Sequence, residues 1–356
     1  PVAFQSGAGL TLRAGGSMLT GALTSGQYVD IRANGTLTTG NIRSDEETDI
    51  NALGSVVLGN VSSGDYAAVS SDTGSVTTGA VDASVNNPAA QLSPGLDIGL
   101  DAFTNLVTGS LTAGSDIGFV SRTGSASVAG VSTSGSLGAF ARSGVTLGPV
   151  ATGTISGRTA YIADAAMVDL LGVDPGITQI DLSLIFNAVP VRLAGPVSIS
   201  GSVTTGRFVS ASTGAFSAQG AISASQRVSI NSGGQASFGG LVTSPLIDVR
   251  SSDIGIGANG GLGTSATDQL NLVVDGAAAA ITIGGDPTNG YSLDSTEAAR
   301  LRARRIALTL GSQAAPPVVN LKSLTLTGGG AAQPNLAGTD GSFSIQTPGT
   351  IRVTGS

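Results

Sequence analysis

The chain has 356 residues, 54 of them glycine; 40% are hydrophobic, only 11% are charged, and the formal net charge is −7. That apolar content excludes plain disorder, and the acidic balance argues against nucleic acid or an anionic membrane as a partner. Cysteine and histidine are both absent, which excludes disulfides, Ser-His-Asp or Cys-His catalysis and thiolate- or histidine-built zinc sites, so no cofactor or metal is expected.

Glycine recurs in register along the first block, at Gly21, Gly40, Gly59 and Gly79. Two positions after each comes an aliphatic residue: Leu23, Ile42, Val61 and Val81. Eight and ten positions after it come Val29 and Ile31, then Thr48 and Ile50, then Ala67 and Val69. Between these, Ser, Thr, Asp and Arg alternate with the apolar residues. That period of two marks short strands with one face inward, and the Gly, Asn and Ser between them mark turns.

A second block follows at Gly109 and Gly130, and a third at Gly201, Gly220 and Gly240. The third places Val209 and Ala211, then Val228 and Ile230, at the inward offsets, with Pro245 shifting the last coil onto Ile247 and Val249. The hexapeptide GSVTTG closes on a reference glycine at Gly79 but opens on one at Gly201, so it is building material rather than a binding motif. A unit of about 19 to 20 residues with short strands and no helical crossover is one coil of a solenoid. The expected fold is therefore all-β: a single-stranded, right-handed parallel β-helix forming one elongated β-solenoid over 1–356. Its narrow interior should take Val, Ile, Leu and Ala but few aromatics, with glycine at corners of positive φ or close backbone approach.

Three insertions interrupt the pattern. Residues 84–105, with Asn and Pro punctuation, read as an extruded loop. Residues 163–193 are richer in large apolar side chains and read as an excursion packed on the rod. Residues 284–305 contain DSTEAARLRARR, in which Asp294 and Glu297 are spaced as an N-cap and its N3 partner, so a short surface helix or tight turn is expected. No run reaches the ~18 apolar residues of a membrane span, so the chain is not expected to be membrane-embedded.

Candidate chemistry is sparse. Asp45, Glu46, Glu47 and Asp49, with Arg32 and Arg43 nearby, could line a groove in which carboxylates bind calcium or work as acid and base. A solvated corner is the plainer alternative. Tyr28 and Tyr66 share an offset of seven from Gly21 and Gly59, with Glu47 at that offset on the coil between. GIGANG (Gly255–Gly260) matches a dinucleotide fingerprint literally but reads as turn and strand, not strand into helix. Arg300, Arg302, Arg304 and Arg305 invite a polyanion site, against the simpler reading of a solvated helical face.

The Gly/Ser/Thr/Val-rich coils and the segment GYSLDSTEAARLRARRIALTLGS (Gly290–Ser312) resemble the shafts of bacterial filamentous-haemagglutinin-like, two-partner-secreted exoproteins and autotransporter passengers. The positions carrying the likeness are Leu293, Glu297, Ala298, Arg300, Leu301, Ala303, Ile306, Leu308 and Gly311. The resemblance implies a non-enzymatic extracellular rod, secreted or at the bacterial cell surface, that coats or adheres. It also implies partners in a host or neighbouring-cell surface or polysaccharide, and in further copies stacked end to end. A polysaccharide-binding or polysaccharide-cleaving β-helix with acidic residues in a groove is the alternative. The start at Pro1, without an initiator Met, suggests a processed product or a fragment of a longer exoprotein.

Overall fold

The computed structural model describes residues 3–84, 97–153, 159–163, 195–274, 280–284, 290–310, 318–322, 342–348 and 350–353. The chain divides into two compact units, 1–153 with 158–194, and 154–157 with 195–356. Both are parallel β-solenoids, and the single helix among the described residues spans Ser295–Ala298.

In the first unit each coil contributes a strand to each of three faces. The first face stacks Leu10–Ala14, Val29–Ala33, Thr48–Ala52, Ala67–Ser71, Ile98–Ala102, Ile117–Ser121, Leu137–Ala141 and Thr159–Ala163, each parallel to the next. The second runs from Met18–Leu19 through Leu37–Thr38, Val56–Val57 and Val76–Thr78 to Val145–Leu147. The third runs from Phe4–Ser6 through Leu23–Ser25, Ile42–Ser44, Val61–Ser63 and Val81–Ala83 to Val150–Ala151. Strand-forming β-branched residues point inward on every face, and each sits on its counterpart one coil on. The row Leu23, Ile42, Val61, Val81, Leu111, Val131 is buried throughout. Each such side chain contributes roughly 1.5–3 kcal/mol by leaving water. Thr48 takes its inward slot because Ser44 Oγ lies 2.7 Å from its hydroxyl.

In the second unit one face stacks Val197–Ile199, Phe216–Ala218, Gln235–Phe238 and Asp253–Ile256. Another stacks Leu246–Ser251, Gln269–Val274, Arg305–Leu310 and Ser342–Gln346. A four-stranded parallel sheet orders Tyr291–Leu293, Ala280–Ile283, Val318–Leu321 and Thr350–Val353. GSVTTG lies on the second face of the first unit as Val76–Thr78 and opens the long strand Val203–Ser212 in the second unit.

Four expectations need correction. Ile98–Ala102 belongs to the stack, between Ala67–Ser71 and Ile117–Ser121, so the first insertion ends before it. Gly130 pairs with Ser110 rather than Gly109, one residue out of the assumed register. A shift after Thr205 pairs Phe208 with Val228 and Ser210 with Ile230, so Val209 does not fill the inward slot. The interior also takes aromatics: Phe119, Phe208, Phe216 and Phe238 are at most 1% exposed, and the ring centroids of Phe216 and Phe238 lie 5.8 Å apart. Ala218 pairs with Phe238 and Phe216 with Ala236, so large and small residues alternate between coils and leave room for the rings. The excursion expected over 163–193 lies outside the described residues from 164 onward.

Candidate functional site

The corner leading into the first face collects the residues with most chemical character. Strand register fixes the row there. Because Val29, Thr48, Ala67, Ile98, Ile117 and Leu137 are stacked partners, the residues just before them are stacked too: Tyr28, Glu47, Tyr66, Asp97, Asp116 and Ser136. One position earlier the coils carry Gln27, Glu46, Asp65, Ser115 and Gly135. Successive coils are ~4.8 Å apart, so two tyrosines with a glutamate between them, then two aspartates, follow one another along a line at that spacing.

The corner is held from inside. Ser63 Oγ lies 2.6 Å from the carbonyl oxygens of both Glu46 and Tyr66, and the amide of Asp65 donates to the Glu46 carbonyl at 3.0 Å. Tyr28 has its ring against Gly9, where a methyl group would sit 2.2 Å from Cε1. The two distal aspartates stitch coils together: Asp97 Oδ1 accepts the amide of Asp116 at 2.7 Å, and Asp116 Oδ1 accepts that of Ser136 at 2.6 Å. Asn41, Asn60 and Asn105 do the same for the next coil at other corners.

Glu46, Glu47 and Asp65 differ. Asp65 is only 8% exposed, and among the described residues its carboxylate takes part in no hydrogen bond or ion pair. The same holds for the carboxylates of Glu46 and Glu47. Burial, then repulsion from Asp97 and Glu46, pushes the Asp65 carboxyl above its ordinary range. Burial, then repulsion from Asp65, does the same to Glu47. Burial and the charges of Glu47, Asp49 and Asp65 push the Tyr66 phenol up to about 12. Yet no three carboxylates among the described residues converge closely enough to hold a metal ion.

The sequence candidates therefore separate. Asp49 is held by Arg32, whose Nη1 donates to Oδ1 at 2.9 Å and whose Nη2 meets Oδ2. Arg32 also reaches Asp30 at 3.3 Å. Asp45 pairs with Arg43 at 3.7 Å on an exposed turn. Glu47 alone of the singled-out acids joins the tyrosine row. Asp65 and Asp97 were not singled out, although Asp97 precedes IGLDA, whose spaced aliphatics match IGFVS (Ile117–Ser121) and LGAFA (Leu137–Ala141).

The arginines do not form a basic helical face, because the helix ends at Ala298. Asp294 caps it, with its side chain accepting the Glu297 amide and Glu297 accepting the Asp294 amide. Glu297 Oε1 also accepts the Ile256 amide at 3.0 Å, and Arg300 Nη1 donates to the Ile256 carbonyl at 2.6 Å. Together they tie the insertion to the edge strand Asp253–Ile256, and Ser292 donates its amide to Asp253 at 3.0 Å. Arg304 meets Asp268 at 3.4 Å. Arg302 and Arg305 are exposed in extended chain. GIGANG runs from a strand through a turn into the strand Gly261–Leu262, so it offers no helix N-terminus to a pyrophosphate.

No helix among the described residues is long and apolar enough to cross a membrane. Comparison of the chain with protein-family models, curated proteins and solved structures finds no match to any of them.

Proposed function

We propose that the chain is a structural and adhesive shaft, a segment of a secreted or cell-surface bacterial exoprotein of the filamentous-haemagglutinin-like kind, working by binding rather than catalysis. One observation carries the adhesive half: Tyr28, Glu47 and Tyr66 occupy one row on three adjacent coils, continued by Asp97 and Asp116. A solenoid turns one residue per coil into a periodic line on a stiff support, because every strand inside the stack is hydrogen-bonded on both edges. Pure spacing needs only short polar residues, such as Ser17, Thr36, Ser55 and Ser75 on the second face. Tyrosines alternating with carboxylates add what a ligand needs, an aromatic face and hydrogen-bonding groups at fixed intervals. Stacking of copies end to end into filaments belongs to the same reading, since strand edges at a solenoid end template further strands.

Retention of the protein on a panel of insoluble acidic, neutral and basic polysaccharides tests adhesion, and electron microscopy tests filaments. Retention on at least one polymer is expected. Failure on all of them refutes the adhesive reading, and release of soluble oligosaccharides would replace it with the cleaving alternative.

A further inference from the structure

We infer that Asn34 is a site of spontaneous modification, converting to aspartate and isoaspartate through a cyclic imide with Gly35, independently of the adhesive reading above. In that reaction the Gly35 backbone nitrogen loses its proton to base and bonds to Cγ of the Asn34 side chain. The bond from Cγ to Nδ2 breaks and ammonia leaves. Water then opens the five-membered imide at either carbonyl, giving an aspartyl or an isoaspartyl link. Ammonia out and water in balance the step, with no oxidant, metal or enzyme. The chemistry asks for an unheld side-chain amide, a following nitrogen free of hydrogen bonds, and no side chain crowding that nitrogen.

Among the described asparagines those conditions meet at Asn34. Asn41, Asn60 and Asn105 use their side-chain oxygens to accept the next coil's amides. Asn51 donates to Ser70 and Asp72, and Asn271 donates to Asp248. Asn231 lies within the strand Ile222–Ser232, and Asn320 precedes the branched Leu321. Asn34 is exposed on a turn, and its side chain makes no hydrogen bond among the described residues.

The dipeptide Asn-Gly also occurs at Asn259–Gly260 and Asn289–Gly290, and Asn289 lies outside the described residues. Asn259 is exposed like Asn34, but the amide after it is held: Gly260 donates to the Gly257 carbonyl at 2.9 Å. Gly35 differs. Its counterpart one coil on, Gly54, donates to the Gly35 carbonyl at 3.0 Å, yet the Gly35 amide donates to nothing among the described residues. The coil before it is open at this corner, since a methyl group on Gly15 or Gly16 would meet nothing within 4 Å. Exposure and sequence are thus alike at the two sites, and the hydrogen bond on the following amide separates them.

In a solenoid the product matters. Isoaspartate routes the main chain through the side-chain methylene, which lengthens the corner by one carbon. That corner is tied on both sides, by the Asn34 amide to the Ala14 carbonyl and by the Gly54 amide to the Gly35 carbonyl, each at 3.0 Å. Lengthening it puts both bonds out of register and loosens the coil that carries Leu10–Ala14 and Met18–Leu19. Each converted chain also gains a negative charge on its formal −7.

Ageing of the full chain in mildly alkaline buffer, with and without urea, followed by tryptic digestion and mass spectrometry, tests this. Cleavage after Arg32 and Arg43 releases a peptide that carries Asn34 with Asn41 as an internal control. Isoaspartyl methyltransferase labelling identifies the isoaspartyl product. In urea the two Asn-Gly sites are expected to convert at similar rates. In the folded chain, relative to their ratio in urea, Asn34 is expected to lead Asn259 by at least ~3-fold, the order of effect of one hydrogen bond on the Gly260 amide. Asn41 is expected to stay intact. Asn34→Asp, which adds the charge without the extra methylene, should keep the amide-exchange protection of Leu10–Ala14 that the isoaspartyl chain loses. A folded ratio equal to that in urea, Asn259 ahead of Asn34, or Asn41 converting alongside Asn34 overturns the inference.

Discussion

Gly220 provides a test of why this chain is so rich in glycine. Its amide side of the coil presses on the coil before: a methyl group on Gly220 would lie 2.4 Å from both the carbonyl carbon and oxygen of Gly201 and 2.6 Å from the amide of Ser202. Ordinary contact is ~3.5–4 Å, so Gly220→Ala must open the two coils locally by about 1 Å. All three obstructing atoms are backbone, so no side chain can swing away. The neighbouring ladder bond, from the Gln219 amide to the Ile199 carbonyl at 2.9 Å, would stretch beyond hydrogen-bonding distance. One or two such bonds at ~0.5–1.5 kcal/mol each, with the strain of overpacking at ~1–3 kcal/mol, give a loss of about 2–4 kcal/mol. Gly16→Ala is the control, because nothing lies within 4 Å of its added methyl. Urea denaturation of both variants, with amide hydrogen exchange to localise the damage, makes the comparison. The Gly220 variant should lose protection around Ala221 and Ser202, while the Gly16 variant stays within ~0.5 kcal/mol of the parent. If the two are equally stable, close coil approach is not what selects glycine here.

Three further perturbations test contacts elsewhere in the solenoid. Arg122→Ala should cost about 1.5–3 kcal/mol in chemical denaturation, because Asp101, 6% exposed, would lose charged hydrogen bonds donated from Nε at 3.1 Å and Nη2 at 2.8 Å. Asp294→Ala should cost ~0.5–2 kcal/mol and speed proteolysis of the insertion, since it removes the cap that accepts the Glu297 amide at 2.8 Å. Thermal melts should show stability rising as pH falls from neutral toward the ordinary carboxylate range. Glu47, Asp65 and Asp97 are each raised, chiefly by burial, so the folded chain binds their protons at higher pH than the unfolded chain does. Their contribution is full below the unfolded values and lost as pH rises through the folded ones. A Glu47→Gln, Asp65→Asn double variant should flatten that slope.

The architecture was legible because it repeats. Leu23, Ile42, Val61 and Val81 announce an inward row by position alone, and the pairing of Ile42 with Leu23 and with Val61 follows that spacing. Fixed offsets failed where coils gain or lose a residue. The shift after Thr205 moved Phe208 into the core in place of Val209, and counting from Gly130 missed that Val131, not Ser132, continues the Leu111 row. The capping box at Asp294 was legible because it is local. What it anchors was not, since Ile256 lies 41 residues from Glu297. The corner was half legible. Tyr28, Glu47 and Tyr66 share an offset, but Asp97 fell inside the segment read as the first insertion, which hid its register, and Asp65 looked like one more polar turn residue. Its place beside Glu46 on the neighbouring coil follows from strand register, which no spacing in one sequence encodes.

A solenoid separates stability from display more completely than a globular fold does. In the first unit, stability comes from rows such as Ile31, Ile50, Val69 and Leu100, each at most 1% exposed, and every inner coil repeats nearly the same contribution. Loss at one corner position is therefore diluted over many coils. Glu46, Glu47 and Asp65 can stand without a partner among the described residues because the Ser63 hydroxyl and the flanking strands Thr48–Ala52 and Ala67–Ser71 fix that corner independently of its charge. Neighbouring coils with Ser115 or Gly135 at the same row keep the same strand register. Outward rows are thus free to vary while inward rows are not. The functional content of such a chain should be sought where outward rows depart from Ser, Thr and Gly, and in the first unit that place is the corner where Tyr28, Glu47 and Tyr66 stack beside Glu46 and Asp65.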